Sequence, residues 1–487
     1  MAQNFVMAFG GTGARCMEAL SYAVAADAVR EPVHLLVVDP DSTNGNVSQA
    51  LKQLRHYYAV QRHVRPVVRD EVRSFFSTPV NGDLGPESFF WANPSPNVEF
   101  ATLIQYSTSA EDEQLLLNLL YDESDLQLTF EKGYVGRAHI GSLDLLRVLQ
   151  DQVSGSSRAA GSGQTDSMVA FFHALREATQ QPSGARLLVI GSVFGGTGAS
   201  GLPAVPPLLR SVLPGGLHRS LAIGCVQLAP YFSFPPGRPE DPDSALHPLA
   251  TQAALYHYSL TDTGYDRIYL VGAPGREQSN RENVVGGDAQ RNSAHYAELA
   301  AALAAAHFFA HPPEHGHAQV VACGAEQVSW DDLPFQRETN LRHRMAAFGA
   351  FCAMHAHFLA EDLAAGRHTD SKWHDELEAG RNRTLGGREV ELRDLRDFAV
   401  RFLAWAKELQ GVSGVDLFAV PDRVAEDAIT VVEGGSHPRA YHEFYKRFST
   451  VKGTEQDTGQ GWYVDALTRA SIAYCDATYT GWGSRNG

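Results

Sequence analysis

Cysteine is scarce and scattered. The 487 residues hold five, Cys16, Cys225, Cys323, Cys352 and Cys475, an odd number with no CxxC pair. That argues against a disulfide framework or a zinc site and fits a reducing cytoplasm, the expected location. Long apolar runs are missing too. No stretch of about 18 uncharged apolar residues occurs, so no membrane span is expected. The longest apolar run, Leu299–Phe309, is alanine-rich and carries His307, which reads as a buried helix. Basic residues are outnumbered, 40 Lys plus Arg against 56 Asp plus Glu, for a formal net charge of −16. An acidic surface repels phosphate backbones, which disfavours nucleic acid and anionic membranes as partners. The first residues run straight into a strand pattern rather than a signal peptide. No lysine follows the glycine-rich loops in GxxxxGK[ST] spacing, which excludes a Walker-type ATPase.

The length suggests two domains. Hydrophobic residues make up 44% and charged residues 20%, normal for a globular protein. Asn4–Phe9 reads as a strand that stops at glycines, Ala14–Asp27 as a helix, and His34–Asp39 as a second strand ending in an acidic turn. This is a β–glycine loop–α–β unit with parallel pairing. Residues 44–80 read as mainly helical and 80–100 as loop. Residues 154–166 (SGSSRAAGSGQTD) read as a mobile surface loop. Arg186–Gly191 is a strand, followed by a second glycine loop and a helix to about Leu213. Further strands are expected at Ser220–Leu228 and Arg267–Gly272, and a long apolar helix at Asn292–Ala310. The last third reads as mixed, with strands at about Gln319–Cys323 and Gly414–Val420 and helix predominating.

Two loops carry chemistry. The first is Phe9-Gly10-Gly11-Thr12-Gly13-Ala14-Arg15, the second Phe194-Gly195-Gly196-Thr197-Gly198-Ala199-Ser200-Gly201. Each lies between a strand and a helix. Glycine lets backbone approach a phosphate, and the helix start offers free N–H groups and partial positive charge. In the second loop Thr197 and Ser200 add hydroxyl donors. A dinucleotide-binding reading competes: Gly196–Gly201 matches GxGxxG, and Asp39 ends a strand where a ribose-binding acid could sit. Those two features fall in different βα units, against the single-unit fingerprint.

The order of parts resembles the tubulin/FtsZ superfamily, closest to its divergent bacterial tubulin-like members. Gly10, Gly11 and Gly13 resemble that family's first phosphate loop. Gly195, Gly196, Thr197, Gly198, Ala199, Ser200 and Gly201 resemble its second, with Phe194 in place of the leading glycine. Asp39 and Asp41 resemble its acidic turn, and Gly133, Gly136 and Gly141 its γ-phosphate loop. The resemblance implies an α/β fold. A parallel-sheet nucleotide domain (1–290) and a central helix (291–312) lead to a second, helix-rich α/β domain (313–487). It implies GTP or GDP with Mg²⁺, weak GTP hydrolysis and head-to-tail self-assembly into filaments. Asn292 takes the base-reading place, with Asp288 a weaker candidate, and Tyr296 the stacking place. Asp331 and Asp332 take that of the acidic loop that enters a neighbour's pocket. Asp331-Asp332-Leu333-Pro334 also suits a helix cap. Beyond residue 350 the pattern departs from the family, which leaves room for a protein partner on the last third. Two alternatives stay open: a non-polymerising nucleotide switch or scaffold on the same fold, and an NAD(P)-dependent oxidoreductase.

The histidines of HPPEHGH (His311, His315, His317) read as solvated turn residues, since no fourth metal ligand is evident. Ser200 in GASG does not form a hydrolase elbow.

Overall fold

The computed structural model describes residues 2–64, 68–69, 72–93, 97–153, 166–213, 220–233, 247–273, 277–278, 286–313, 319–323, 328–333, 340–367, 371–375, 377, 391–412, 414–421, 429–432, 440–451 and 460–479. The middle layer is a seven-stranded sheet: β1 (Gln3–Phe9), β2 (Val33–Val38), β3 (Phe90–Trp91), β4 (Ala185–Ser192), β5 (Leu221–Leu228), β6 (Arg267–Val271) and β7 (Gln319–Cys323). The strands lie in the order β7-β6-β5-β4-β1-β2-β3, and every neighbouring pair is parallel. Strands such as VHLLVV and ARLLVIGS are almost continuously apolar. That composition suits parallel strands covered on both faces.

The principal helices are α1 (Gly10–Ala25), α2 (Gly45–Gln61), α3 (Glu111–Leu120), α4 (Ala138–Val153), α5 (Ser167–Thr179), α6 (Gly196–Val212), α7 (His247–Leu260), α8 (Tyr296–Ala310), α9 (Leu341–Met354), α10 (Glu391–Gln410), α11 (Ala440–Thr450) and α12 (Gln460–Thr478). The period-two alternation of β1 divides them. Val6 and Ala8 join α1, α2 and α8 in one apolar cluster, while Phe5, Met7 and Phe9 join α4, α5 and α6 in the other. Helix α8 is apolar around nearly its whole circumference, Glu298 excepted, and is buried apart from His307 and Ala310. Each buried Leu or Phe there contributes roughly 1.5–3 kcal/mol, so tertiary burial rather than an amphipathic face fixes this helix.

The later helices share the first cluster instead of building a separate core. The Tyr22 ring of α1 lies 5.4 Å from Phe398, 5.2 Å from Phe402 and 4.9 Å from Trp405 of α10. Among the described residues, no helix is long and apolar enough to cross a membrane.

The α/β class read from the sequence holds, with four local corrections. The helix expected through 44–80 stops at Gln61. Beyond it, valine-containing Val68–Arg69 and Val72–Arg73 pair antiparallel, and Phe75 and Phe76 insert into the core. The segment taken as loop before residue 100 contributes β3, because Phe90 and Trp91 pair with Val37 and Val38. Helix α8 begins at Tyr296, where His295 caps Ala297 N at 3.2 Å, so Asn292 lies in the preceding loop. The strand expected over Gly414–Val420 shrinks to Val415–Asp416. The loop read at 154–166 lies, apart from Asp166, outside the described residues.

Candidate functional site

The strand order reverses between β1 and β4. Successive strands after β1 extend the sheet one way, and those after β4 extend it the other way. In open α/β sheets the crevice at the carboxyl ends of such a pair is where ligands bind. Both glycine loops sit there. β1 runs directly into α1, and β4 runs through the second loop into α6. The N-cap residues, Phe9 and Gly195, make no side-chain cap bond. Two helix starts therefore present uncapped first-turn N–H groups to the same space.

The loops touch. Gly10 holds φ at +74°, and a Cβ placed on it would lie 3.1 Å from Thr197 Cβ. A Cβ on Gly198 would come within 2.6 Å of Ser192 N, so only glycine lets α6 start this close to its own strand.

Around the loops lies a cleft of about 970 Å³, open mouth included. The first loop contributes Gly10, Gly11, Thr12 and Arg15, and the second Gly195, Gly196, Thr197 and Gly198. The turn after β2 adds Asp39, Asp41, Asn44 and Asn46. The segment before α4 adds Lys132–Gly136, and the loop before α8 adds Gly286, Gln290 and Asn292. Phe194, Phe232 and His247 form an aromatic wall, with the Phe194 and His247 rings 4.8 Å apart.

Several residues singled out from the sequence, Gly141 and Gly201 among them, do not line the cleft. Gly13 is packed against Ala8. Ala199 and Ser200 lie inside α6, and the buried Ser200 hydroxyl donates to Gly196 O at 2.6 Å and Ala138 O at 3.0 Å. Tyr296 is buried at the start of α8, with its ring 4.5 Å from His295. Asp331 and Asp332 are exposed in a short 3₁₀ turn. There Asp332 accepts from Ser329 N at 2.9 Å and Ser329 Oγ at 2.5 Å, and these bonds lower its pKa. The capping geometry thus engages Asp332, and within one chain neither aspartate reaches the cleft. Asp288 is exposed and pairs with Arg291 at 2.8 Å. His315 and His317 lie outside the described residues.

The acidic turn is buried, with Asp39 2% and Asp41 1% exposed. Among the described residues, neither is in a salt bridge. Burial pushes the Asp39 carboxyl up to about 8; the Asp41 N–H bond opposes the rise and the Asp41 charge adds to it. Asp41 is largely engaged: it accepts from Thr43 N at 2.8 Å, Thr43 Oγ1 at 2.7 Å and Gly287 N at 2.7 Å. Asp39 retains spare acceptor capacity, and a Cβ on Gly133 would lie between it (3.8 Å) and Thr197 Oγ1 (3.9 Å). An oxygen-ligated divalent cation suits this donor set when phosphate oxygens and water complete the shell. No described group of three or more His, Cys, Asp or Glu forms a metal cluster by itself.

Arg15 is 5% exposed. Its guanidinium pairs with Glu298 of α8 at 2.5 Å, donates to the Tyr231 hydroxyl and lies 5.4 Å from the centre of the Phe232 ring. Burial works against its charge, yet Glu298 and Tyr231 outweigh that and raise its pKa. The pair ties the first-loop helix to the central helix. Asn292 is held reciprocally by Asn46: Asn292 N donates to Asn46 Oδ1 at 2.9 Å, and Asn46 Nδ2 donates to Asn292 Oδ1 at 3.2 Å. That uses the Asn292 oxygen and leaves its amide nitrogen to donate.

The segment before α4 is conformationally constrained. Gly133 and Gly136 hold positive φ, and Val135, a β-branched residue, holds φ at +47°. Such outliers persist only where their surroundings enforce them, and they concentrate at ligand-binding loops. Sequence reading missed Asn44, Asn46, Lys132, Phe232, His247 and Gln290. The one legible signal was Thr43-Asn44-Gly45-Asn46 after an apolar strand, a helix N-cap signature that Asn44 fulfils by accepting from Asn46 N and Val47 N.

No family model matches the chain, and no curated protein matches it. Among solved structures, the chain is similar to a GTPγS-bound protofilament of CetZ2 from Haloferax volcanii, at 12% identity and a TM-score of 0.28, over 63% of this chain and 59% of that one. It is also similar to a GTPγS-form protofilament of TubZ from Bacillus thuringiensis serovar israelensis, at 11% identity and a TM-score of 0.21, over 63% and 56%. The chain thus spans less than two thirds of either relative. At these scores neither likeness bears on function; the cleft does.

Proposed function

We propose that this chain binds a guanine nucleotide, GTP or GDP, with the polyphosphate clasped between the two glycine loops. The observation that carries the reading is that two uncapped helix starts meet at the switch point of one parallel sheet, Gly10 against Thr197. Backbone N–H groups of both loops bind the phosphates, and Thr12 and Thr197 supply hydroxyls. Gly133–Gly136 closes over the phosphate end. Asp39 would help hold Mg²⁺, which would supply charge neutralisation at the phosphates. Asn292, fixed by Asn46, donates to the base, and the aromatic wall of Phe194, Phe232 and His247 flanks the nucleoside. Weak hydrolysis and head-to-tail self-assembly complete the reading. Any part played by Asp331 or Asp332 falls in a neighbouring chain's cleft.

A specific observation favours a second reading. The order β3-β2-β1-β4-β5-β6 is also that of dinucleotide-binding folds, and Asp39 follows β2 in the same unit as the first loop. Heat-denaturing purified protein and chromatographing the released nucleotide separates the two. GDP or GTP near one per chain supports the proposal, and NAD(P) selects an oxidoreductase. Bound guanine nucleotide with a monomeric mass and negligible turnover selects a non-polymerising switch acting through a partner on the C-terminal helices.

A further inference from the structure

The loop before α8 supplies Gly286, Gln290 and Asn292 to the cleft. Its cleft side is fastened to the turn after β2. Gly287 N donates to Asp41 Oδ2 at 2.7 Å, Asn44 Nδ2 donates to Gln290 Oε1 at 2.8 Å, and Asn46 grips Asn292. Its other side is fastened by the C-terminal region. Ala294 N donates to Glu408 Oε2 at 2.8 Å. The second Glu408 oxygen accepts from Arg401 at 2.6 Å, and Arg401 Nε reaches Glu18 of α1 at 2.7 Å. One guanidinium thus joins the helix that begins at the first glycine loop to the acid that holds the residue two places after Asn292.

Building on the nucleotide reading above, we infer that Glu408, oriented by Arg401, is a positioning residue for the nucleoside contacts of the cleft. The phosphate loops are braced by α1 and α6 themselves, whereas the 286–295 loop has of its own only the turn bonds from Gln290 N to Gly287 O (3.1 Å) and from Arg291 N to Ala289 O (2.9 Å), and its 292–295 end is shaped by the two fastenings and by Glu298, which accepts from His295 N at 3.1 Å. Releasing the Glu408 fastening restores freedom to the loop beside Asn292, and affinity falls by the cost of ordering it again on binding. The penalty falls on ligands that carry a nucleoside and spares bare polyphosphate. The same fastening makes the C-terminal helices sensitive to whether the nucleoside end is filled.

The test compares GTP with inorganic tripolyphosphate on the full chain, by calorimetric titration of wild type, Glu408→Ala and Glu408→Gln. Glu408→Ala is expected to weaken GTP roughly tenfold, the value of one hydrogen bond to a charged group, and to leave tripolyphosphate within about twofold. The Gln variant still offers Ala294 an acceptor and is expected to regain most of the GTP affinity. Parallel loss of both ligands, or unchanged GTP binding by folded Glu408→Ala, overturns the assignment. If the Ala variant does not fold, Glu408→Asp decides: it keeps the charge but withdraws the oxygen by one methylene. It must lose GTP affinity selectively, and equal affinities for wild type and this variant overturn the assignment. Wild-type protein that binds neither ligand overturns the nucleotide reading and this inference with it. Wild type that binds both, matched by Glu408→Ala, overturns this inference alone.

Discussion

Replacing Gly10 by alanine acts on the contact between the two loops. Gly10 holds φ at +74°, and an added Cβ would lie 3.1 Å from Thr197 Cβ. The backbone conformation alone costs an L-residue roughly 1–2 kcal/mol. The close approach adds a second effect: Thr197 must retreat by a few tenths of an ångström, which spreads the first turns of α1 and α6. Losing one charge-assisted N–H bond to phosphate costs roughly 1.5–3 kcal/mol, or about 10- to 150-fold in affinity. Gly366→Ala is the control. Its φ is +66°, so it carries a similar backbone penalty, but nothing lies within 4 Å of the added Cβ. Both variants should melt earlier than wild type by a comparable margin, and only Gly10→Ala should lose GTP affinity in calorimetric titration. Wild-type affinity in Gly10→Ala, or an equal loss in Gly366→Ala, refutes the reasoning.

Other outcomes follow from the same geometry. Glu298→Ala leaves Arg15 buried without its carboxylate and should cost roughly 3–5 kcal/mol in urea denaturation, with Glu298→Gln milder. Burial holds the His355 imidazole down to about 4. A depressed histidine contributes stability that is present above its unfolded pKa, roughly 6.5, and lost as pH falls towards 4. His355→Gln should therefore flatten the stability profile between those values, by up to roughly 3 kcal/mol at about 1.4 kcal/mol per pH unit. An unchanged profile in denaturant titrations refutes that role. Leu303→Ala in the fully buried part of α8 should cost roughly 2–5 kcal/mol, whereas Leu119→Ala should stay within about 0.5 kcal/mol. Leu119 is 82% exposed. Asp332→Ala should leave GTP affinity of the single chain unchanged, and a loss in titration would place that residue in its own chain's cleft.

The frame of the fold was legible because its signals are local. Apolar runs that end at glycines gave β1 and β4, and an unbroken apolar stretch gave the body of α8. The start of α8 was not legible, because His295 is an unusual cap, whereas asparagine, the residue type at the expected start, is a common one. β3 was hidden because two residues form a strand only when Val37 and Val38 are already in place beside them. The cleft was legible where chemistry lies in backbone, as in the two glycine loops. It was opaque where side chains meet across the chain. Nothing near Asn46 announces Asn292, 246 residues away, as its partner. Ser200 and Tyr296 carry suitable chemistry, but helix packing directs them elsewhere: the Ser200 hydroxyl bonds carbonyls of its own helix and of α4, and Tyr296 is buried.

A crystal structure of the chain grown with GTPγS and Mg²⁺ tests the central claim most directly. The account predicts phosphate oxygens at hydrogen-bond distance, roughly 2.7–3.2 Å, from backbone N–H groups of both Gly10–Gly13 and Gly195–Gly198. Phosphates held by one loop alone, or a nucleotide bound outside this cleft, would contradict it.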